Sequence, residues 1–334
     1  MKFFRELLVK SHDGNYYKIV EVISNHFRGF DNCEVVIQNI SGNKNNVIVI
    51  WGKPELLINA HLDTVKPSSG WHTNPYELTV KNDNYYGLGT CDTKGNIFAI
   101  SEALKCISPK NLMLLFSVDE ESNSVESGVT HFLDSTYEDN IKQVIVCEPT
   151  NNLIADAHKG YYSFYLKAKA TSRHSSESAY LFDNAIFKLG KYFKPLIDSG
   201  YNLGSIKGGM AGNIIAPDCC LLVSIRCFKD FEEVLSDLNN VFEDEIIIEH
   251  KTILPALNSK INKRESVCFN QEINSEPLEF WTEASLFNKK GINSFIYGVG
   301  NIRQAHTPNE FVSKISLDKG INFFIEVIKG VNNK

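Results

Sequence analysis

Five ionisable side chains stand where short apolar runs end or where a glycine-rich loop meets a helix. The run ELLINA (55–60) leads straight into His61-Leu62-Asp63, LMLLFSV (112–118) into Asp119-Glu120-Glu121, and QVIVC (143–147) into Glu148. The loop YYGLGTCDTKGN sets Asp92 just before a helical stretch, and the run NSFIYGV (293–299) leads on to Gln304-Ala305-His306. Imidazoles and carboxylates together are the donor set of a divalent-cation site. So many acids brought to one place repel one another unless cations compensate them. His61, Asp92, Glu121, Glu148 and His306 can thus serve a pair of divalent ions. His61 and Asp63 are two apart on an extended chain and project to one side, so a carboxylate can support a ligating imidazole from behind.

These groups need a scaffold that makes them converge. VIVIW (47–51) and the four runs above are rich in Val, Ile and Phe and apolar on both faces, as strands covered by helices on each side are. TKGNIFAISEALKCI (93–107) and NYYKIVEVISNHF carry apolar residues at helical spacing. The expected fold is α/β, a mostly parallel central sheet flanked by helices, with ligands bound at the carboxyl ends of its strands. From about residue 161 the texture changes. YYSFYLKAKA, CLLVSIRCF and EIIIEHKT read as strands, with a fourth around SIKGGMAGNII. LFDNAIFKLGKYFKPLI and FEEVLSDLNNVF read as two amphipathic helices. This predicts one domain from 1–160 and 254–334, with an α+β domain of four strands and two helices, 161–253, inserted into it.

Bulk composition excludes several classes. The 334 residues carry 34 Lys+Arg against 40 Asp+Glu, a net charge of -6, with no basic run, which argues against nucleic-acid binding. No apolar stretch reaches membrane-spanning length, and MKFFRELLVKSHDG lacks a signal-peptide core, so a soluble cytoplasmic protein is expected. The 8 cysteines form no CxxC pair, and Cys219 and Cys220 are adjacent, which reads as reduced core thiols. Cys91 and Cys147 adjoin proposed ligands but point to the opposite face of an extended segment. His12, His26, His131 and His250 have no chemical partners in sequence and are expected in solvent. His72 reads as a loop residue and His158 as a hinge or structural one.

HLDTV, GLGTCDTKG, SVDEESNS, CEPT and QAHTPNEF, in that order, resemble the co-catalytic zinc amidohydrolases and exopeptidases, over essentially the whole chain. The resemblance implies two divalent ions, zinc first and cobalt or manganese also accepted. Asp92 would bridge them, with His61 and Glu148 completing one site and Glu121 and His306 the other. It implies Glu120 as general base and Asp63 as the residue orienting His61. The inserted domain would be a lid or dimerisation domain. ATSRHSS (170–176), with Ala170 where the family has Gly, would carry His174 to an active site, in dimers that of the neighbouring subunit, to stabilise an oxyanion. GNIIAP and SIRCF would bind a substrate carboxylate through Asn213 and Arg226. WTEASLF and YGVGNIRQAHTPNEF resemble the acetylornithine deacetylase branch and make Glu283 a contact for the substrate's amino group. The implied partner is a small N-acylated amino acid, N-acetylornithine first. N-acetylcitrulline, N-succinyl-diaminopimelate or a dipeptide are the alternatives. A homodimer through the inserted domain is a further expectation.

Overall fold

The computed structural model describes residues 1–122, 127–242, 246–258 and 276–333. Two compact units divide the chain. The first comprises Met1–Ala157, Asn258–Pro277 and Thr282–Lys334, and the second His158–Leu257 and Leu278–Trp281.

The first unit is built on a six-stranded sheet. Its elements are α1 (Lys2–Leu7), α2 (Tyr17–Phe27), β1 (Glu34–Ser41), β2 (Lys44–Trp51), β3 (Leu56–His61), α3 (Lys94–Cys106), β4 (Leu112–Ser117), β5 (Gln143–Val146), α4 (Ala284–Lys289), β6 (Asn293–Ile296) and α5 (Lys314–Asn332). The strand order is β1-β2-β4-β3-β5-β6. Strands β4, β3, β5 and β6 run parallel, while β2 is antiparallel to β4 and β1 to β2. The sheet is therefore mostly parallel with an antiparallel hairpin at one edge. Strand β1 is one element the sequence pattern missed: as an edge strand its residues are exposed or half-buried, so EVVIQNIS lacks a solid apolar run.

Alternation along the strands makes the two faces different. Ile58 and Ala60, Leu114 and Phe116, Ile145 and Phe295 join one core with Phe4, Ile23, Phe27, Ile97, Ile100, Phe324 and Ile328 of α1, α2, α3 and α5. His61 pairs in register with Ser117, so β3 and β4 end level and release their loops side by side. In α5, Ser313 caps the N-terminus by accepting the Ser316 N–H at 3.1 Å.

The second unit has a four-stranded antiparallel sheet in the order 202–208, 218–227, 160–169, 246–254. Tyr162, Phe164, Leu166 and Ala168 alternate inward and pack with Leu221, Val223, Leu189, Leu196, Val234 and Leu238. The single helix expected over 181–197 is two short ones, Ala185–Gly190 and Phe193–Asp198. Pro195 has no N–H to give the Lys191 carbonyl, and its ring would crowd it, so the ladder breaks there. Leu278–Trp281 groups with this unit because Lys159 N–H donates to the Leu278 carbonyl at 3.1 Å. The predicted borders at 160/161 and 253/254 did not include that return segment.

The described cysteines are free thiols, and Cys268 lies outside the described residues. No described helix is long and apolar enough to cross a membrane. Two histidines expected in solvent are packed instead. His12 is 7% exposed and its Nε2 meets the Tyr76 hydroxyl at 2.8 Å. His26 stacks on Phe3, centroids 3.4 Å apart, and reaches Ser101 Oγ at 2.7 Å; burial pushes its pKa down to about 4.

The sheet core sets a stability test. Leu114 is fully buried on the helix-covered face, so Leu114→Ala is expected to cost about 2–5 kcal/mol. Urea unfolding checks this, and a loss below about 1 kcal/mol would mean the face is not close-packed.

Candidate metal centre

His61 ends β3, and its ring is fixed from both sides. Nδ1 donates to the backbone carbonyl of Asp63 at 2.9 Å, so Nδ1 carries a proton and Nε2 is the nitrogen turned toward Asp92. His61 Nε2 lies 3.0 Å from Asp92 Oδ1. The Asp63 carboxylate, expected to orient His61, is farther, at 3.7 Å from Nδ1. It accepts instead the Glu120 N–H at 3.3 Å and the Glu121 N–H at 3.0 Å. The carbonyl of Asp63 thus orients the imidazole, while its side chain fixes the loop after β4.

That loop is held from its other side too. Tyr16 OH donates to Asp119 Oδ1 at 3.1 Å, and Lys44 Nζ reaches Oδ2 at 2.5 Å. Asp92 is delivered by the loop before α3, where Thr93 Oγ1 donates to the His61 carbonyl at 3.1 Å. Glu148 follows β5. The 298–300 turn packs so close that a Cβ on Gly298 would lie 2.2 Å from the Glu148 carbonyl oxygen, which demands glycine. His306 Nε2 sits 2.9 Å from Glu121 Oε1 and 3.4 Å from Asp92 Oδ2.

These groups form two donor triplets that share one residue. His61, Asp92 and Glu148 present ligand atoms within 4.8 Å of one another, and so do Asp92, Glu121 and His306. Glu120 lies beside them, grouped with His61 and Glu121. The donor chemistry, mixed imidazole nitrogen and carboxylate oxygen, fits a pair of divalent cations.

Electrostatics in the cation-free chain show the same need. Burial pushes Glu148 and Glu120 well above the ordinary carboxylate range, and neighbouring acids add to both shifts. Asp92 is held low despite burial, because the His306 and His61 rings hydrogen-bond its two oxygens. The Asp92 and Glu121 carboxylates raise His306 to about 10. His61 is also raised, burial notwithstanding, by Asp92.

The family model for peptidase family M20/M25/M40 matches residues 57–330. The chain belongs to this peptidase family. An acetylornithine deacetylase from Aliivibrio salmonicida is 31% identical over 89% of this chain and 87% of its own length. An N-acetyl-L-citrulline deacetylase from Xanthomonas campestris is 27% identical over 85% of this chain and 84% of its own. Among solved structures, a dinuclear metal-binding M20 peptidase from Bacillus subtilis superposes with a TM-score of 0.77 at 14% identity, covering 100% of this chain and 97% of that one. The chain is an enzyme of the M20 peptidase and deacetylase group.

Not every expected site residue of this M20 chain behaves as a single-chain reading requires. In the second unit, His174 pairs with Ile214 in a short ladder and Ser175 N–H donates to the Asn213 carbonyl at 2.9 Å, so His174 and Asn213 are neighbours. Arg226 is not with them. It lies exposed near the far end of strand 218–227, eight residues or about 25 Å along, with its guanidinium 4.8 Å from the Tyr161 ring centroid. Arg226 and Asn213 of one copy are therefore not neighbours. Arg226 occupies the open face of its strand, beside a 480 Å³ hollow lined by Lys159, Tyr161, Asn202 and Glu279.

Glu283 is 1% exposed, accepts the Ser117 hydroxyl at 2.9 Å, and is raised by burial to about 7. Its charge adds to the upward shift of Glu120, and its bond to Ser117 sets it at the β4 terminus. Sequence reasoning missed Tyr16, Lys44, Lys94, Ser117 and Glu310. Glu310 alone carried a signal, standing in the same QAHTPNEF segment as His306.

A pH dependence follows. Glu283 rises from 4.5 to about 7 through burial, so the folded chain keeps a proton that the unfolded chain releases. Its contribution is complete below about 4.5 and lost as pH rises through 7. That of His306 is complete below about 6.5 and lost as pH rises through about 10. The unfolding temperature of the metal-free protein should therefore fall between pH 5 and pH 9; a rise over that range contradicts the assignment.

Proposed function

We propose that this chain hydrolyses the amide bond of an N-acetyl-α-amino acid, N-acetylornithine first, to acetate and the free amino acid, as a cytoplasmic enzyme of arginine biosynthesis. The observation that carries the reading is the pair of donor triplets sharing Asp92, with Glu120 beside them. In this reading His61, Asp92 and Glu148 hold one divalent cation, and Asp92, Glu121 and His306 the other, zinc first and cobalt or manganese as substitutes. Paired divalent cations supply Lewis acidity that polarises a scissile carbonyl and acidifies water.

The chain's own residues do the rest. Glu120 takes the proton of the attacking water and delivers it to the leaving amine, a task that suits a carboxyl whose surroundings favour holding a proton. Asp63 keeps Glu120 in place through the backbone. Arg226 offers a fork for the substrate carboxylate, while His174, for the tetrahedral oxyanion, and Asn213 come from a second copy.

The second unit supports such a homodimer. Strand 202–208 is a sheet edge, and Phe182, Ile186, Phe187 and Met210 are exposed nearby. Phe182 packs on Phe187 with centroids 5.2 Å apart, and Gly209 abuts Ile186. Apolar residues next to an open edge mark a pairing surface.

N-acetylcitrulline is the second reading, favoured by the Xanthomonas relative; succinyl-diaminopimelate and dipeptides are further members of the test panel. Purified zinc-loaded protein should cleave N-acetylornithine faster than the others. Glu120→Ala should keep both metals and lose turnover by about 10²–10⁴-fold. Fast cleavage of another member alone overturns the substrate and spares the mechanism. Undiminished turnover in Glu120→Ala removes Glu120 from it.

A further inference from the structure

Glu310 is 1% exposed and stands four residues after His306 on the same segment. Its Oε2 accepts the Gly89 N–H at 2.9 Å, and its Oε1 accepts the Cys91 N–H at 2.8 Å and the Asp92 N–H at 3.1 Å. Its backbone carbonyl accepts the Gly87 N–H at 3.0 Å. One residue therefore takes four backbone donors of the loop that delivers Asp92. A carboxylate accepting several backbone N–H groups is a strong and directional anchor.

The loop it anchors has no slack. Gly89 has φ +82°, and a Cβ there would lie 2.9 Å from both the Lys94 and the Thr64 side chains. Lys94, 1% exposed, spans beneath the loop to donate to the Val9 carbonyl at 3.1 Å. At the loop's end, Asp92 places Oδ1 3.0 Å from His61 and Oδ2 3.4 Å from His306.

We propose that Glu310 is a positioning residue that fixes how the two Asp92 oxygens are divided between His61 and His306. It can do so because its side chain grips the Asp92 loop while its own segment carries His306. It touches no reacting atom. The inference rests on the reading of Asp92 as the ligand common to both cations.

Glu310→Gln tests it. An amide offers one acceptor oxygen and one NH₂ group, so it must set a donor against either the Gly89 N–H or the Cys91 and Asp92 N–H groups. The measurements are a zinc titration of the metal-free chain against a chelator and thermal unfolding of that same metal-free form. Both zinc equivalents should weaken by about 10–100-fold, with kcat reduced at saturating zinc and KM within about threefold of native. Glu310→Asp keeps the charge and both acceptors and should recover part of the zinc affinity; it also carries the test should the Gln variant not fold. Zinc affinities within twofold of native, with only a lower unfolding temperature, would overturn the proposal and leave Glu310 a structural residue. Fewer than two zinc equivalents in the native chain would overturn the shared-ligand reading first, and this one with it.

Discussion

Mutual repulsion among carboxylates is the constraint on which the first unit is organised. Glu120 feels Glu121, Glu283 and Asp63, and Glu148 feels Asp92, Glu120 and Glu121, while His61 and His306 oppose this charge from within the cluster. A fold does not gather so much negative charge at the ends of its central strands unless cations are to share the space. Burial and that repulsion push Glu120 and Glu148 well above the ordinary carboxylate range, and the acids raise both imidazoles. Stability is thereby tied to pH, and cation binding is tied to proton release.

Geometry is maintained against that repulsion by backbone donors. Asp63 takes the N–H groups of Glu120 and Glu121, and Glu310 those of Gly89, Cys91 and Asp92. Each of these two carboxylates is spent on holding a loop, so that the loop can present a different carboxylate. His61 follows the same logic, with one ring nitrogen committed to a carbonyl so that the other is free for the centre. The level ends of β3 and β4 set the starting point for both arrangements. An amide hydrolase built this way has its reactive groups placed before substrate arrives, which is where electrostatic catalysis gains most.

How much of this was legible in the sequence depends on the kind of residue. The buried strands and the loops that follow them were readable, because solid apolar runs leading into His61, Glu121 and Glu148 are a pattern local to the chain. Strand β1 was not, since an edge strand need not be apolar on both faces. The break at Lys191 was visible in Pro195 but was outweighed by the amphipathic spacing around it. Residues that act on a loop distant in sequence left no local trace: Glu310 reaches back more than two hundred positions to Gly89, and Tyr16 forward a hundred to Asp119. Nor does the sequence show that Arg226, near the end of strand 218–227, lies a strand's length from the segment that holds Asn213.

The central claim is that Asp92 is common to two cations. Anomalous diffraction at the zinc edge, from crystals grown with excess zinc, tests it most directly. Two peaks about 3.5–4 Å apart are expected, one toward His61 and Glu148 and one toward Glu121 and His306, with an Asp92 oxygen on each. A single peak, or two peaks of which either lies out of reach of Asp92, would contradict the account.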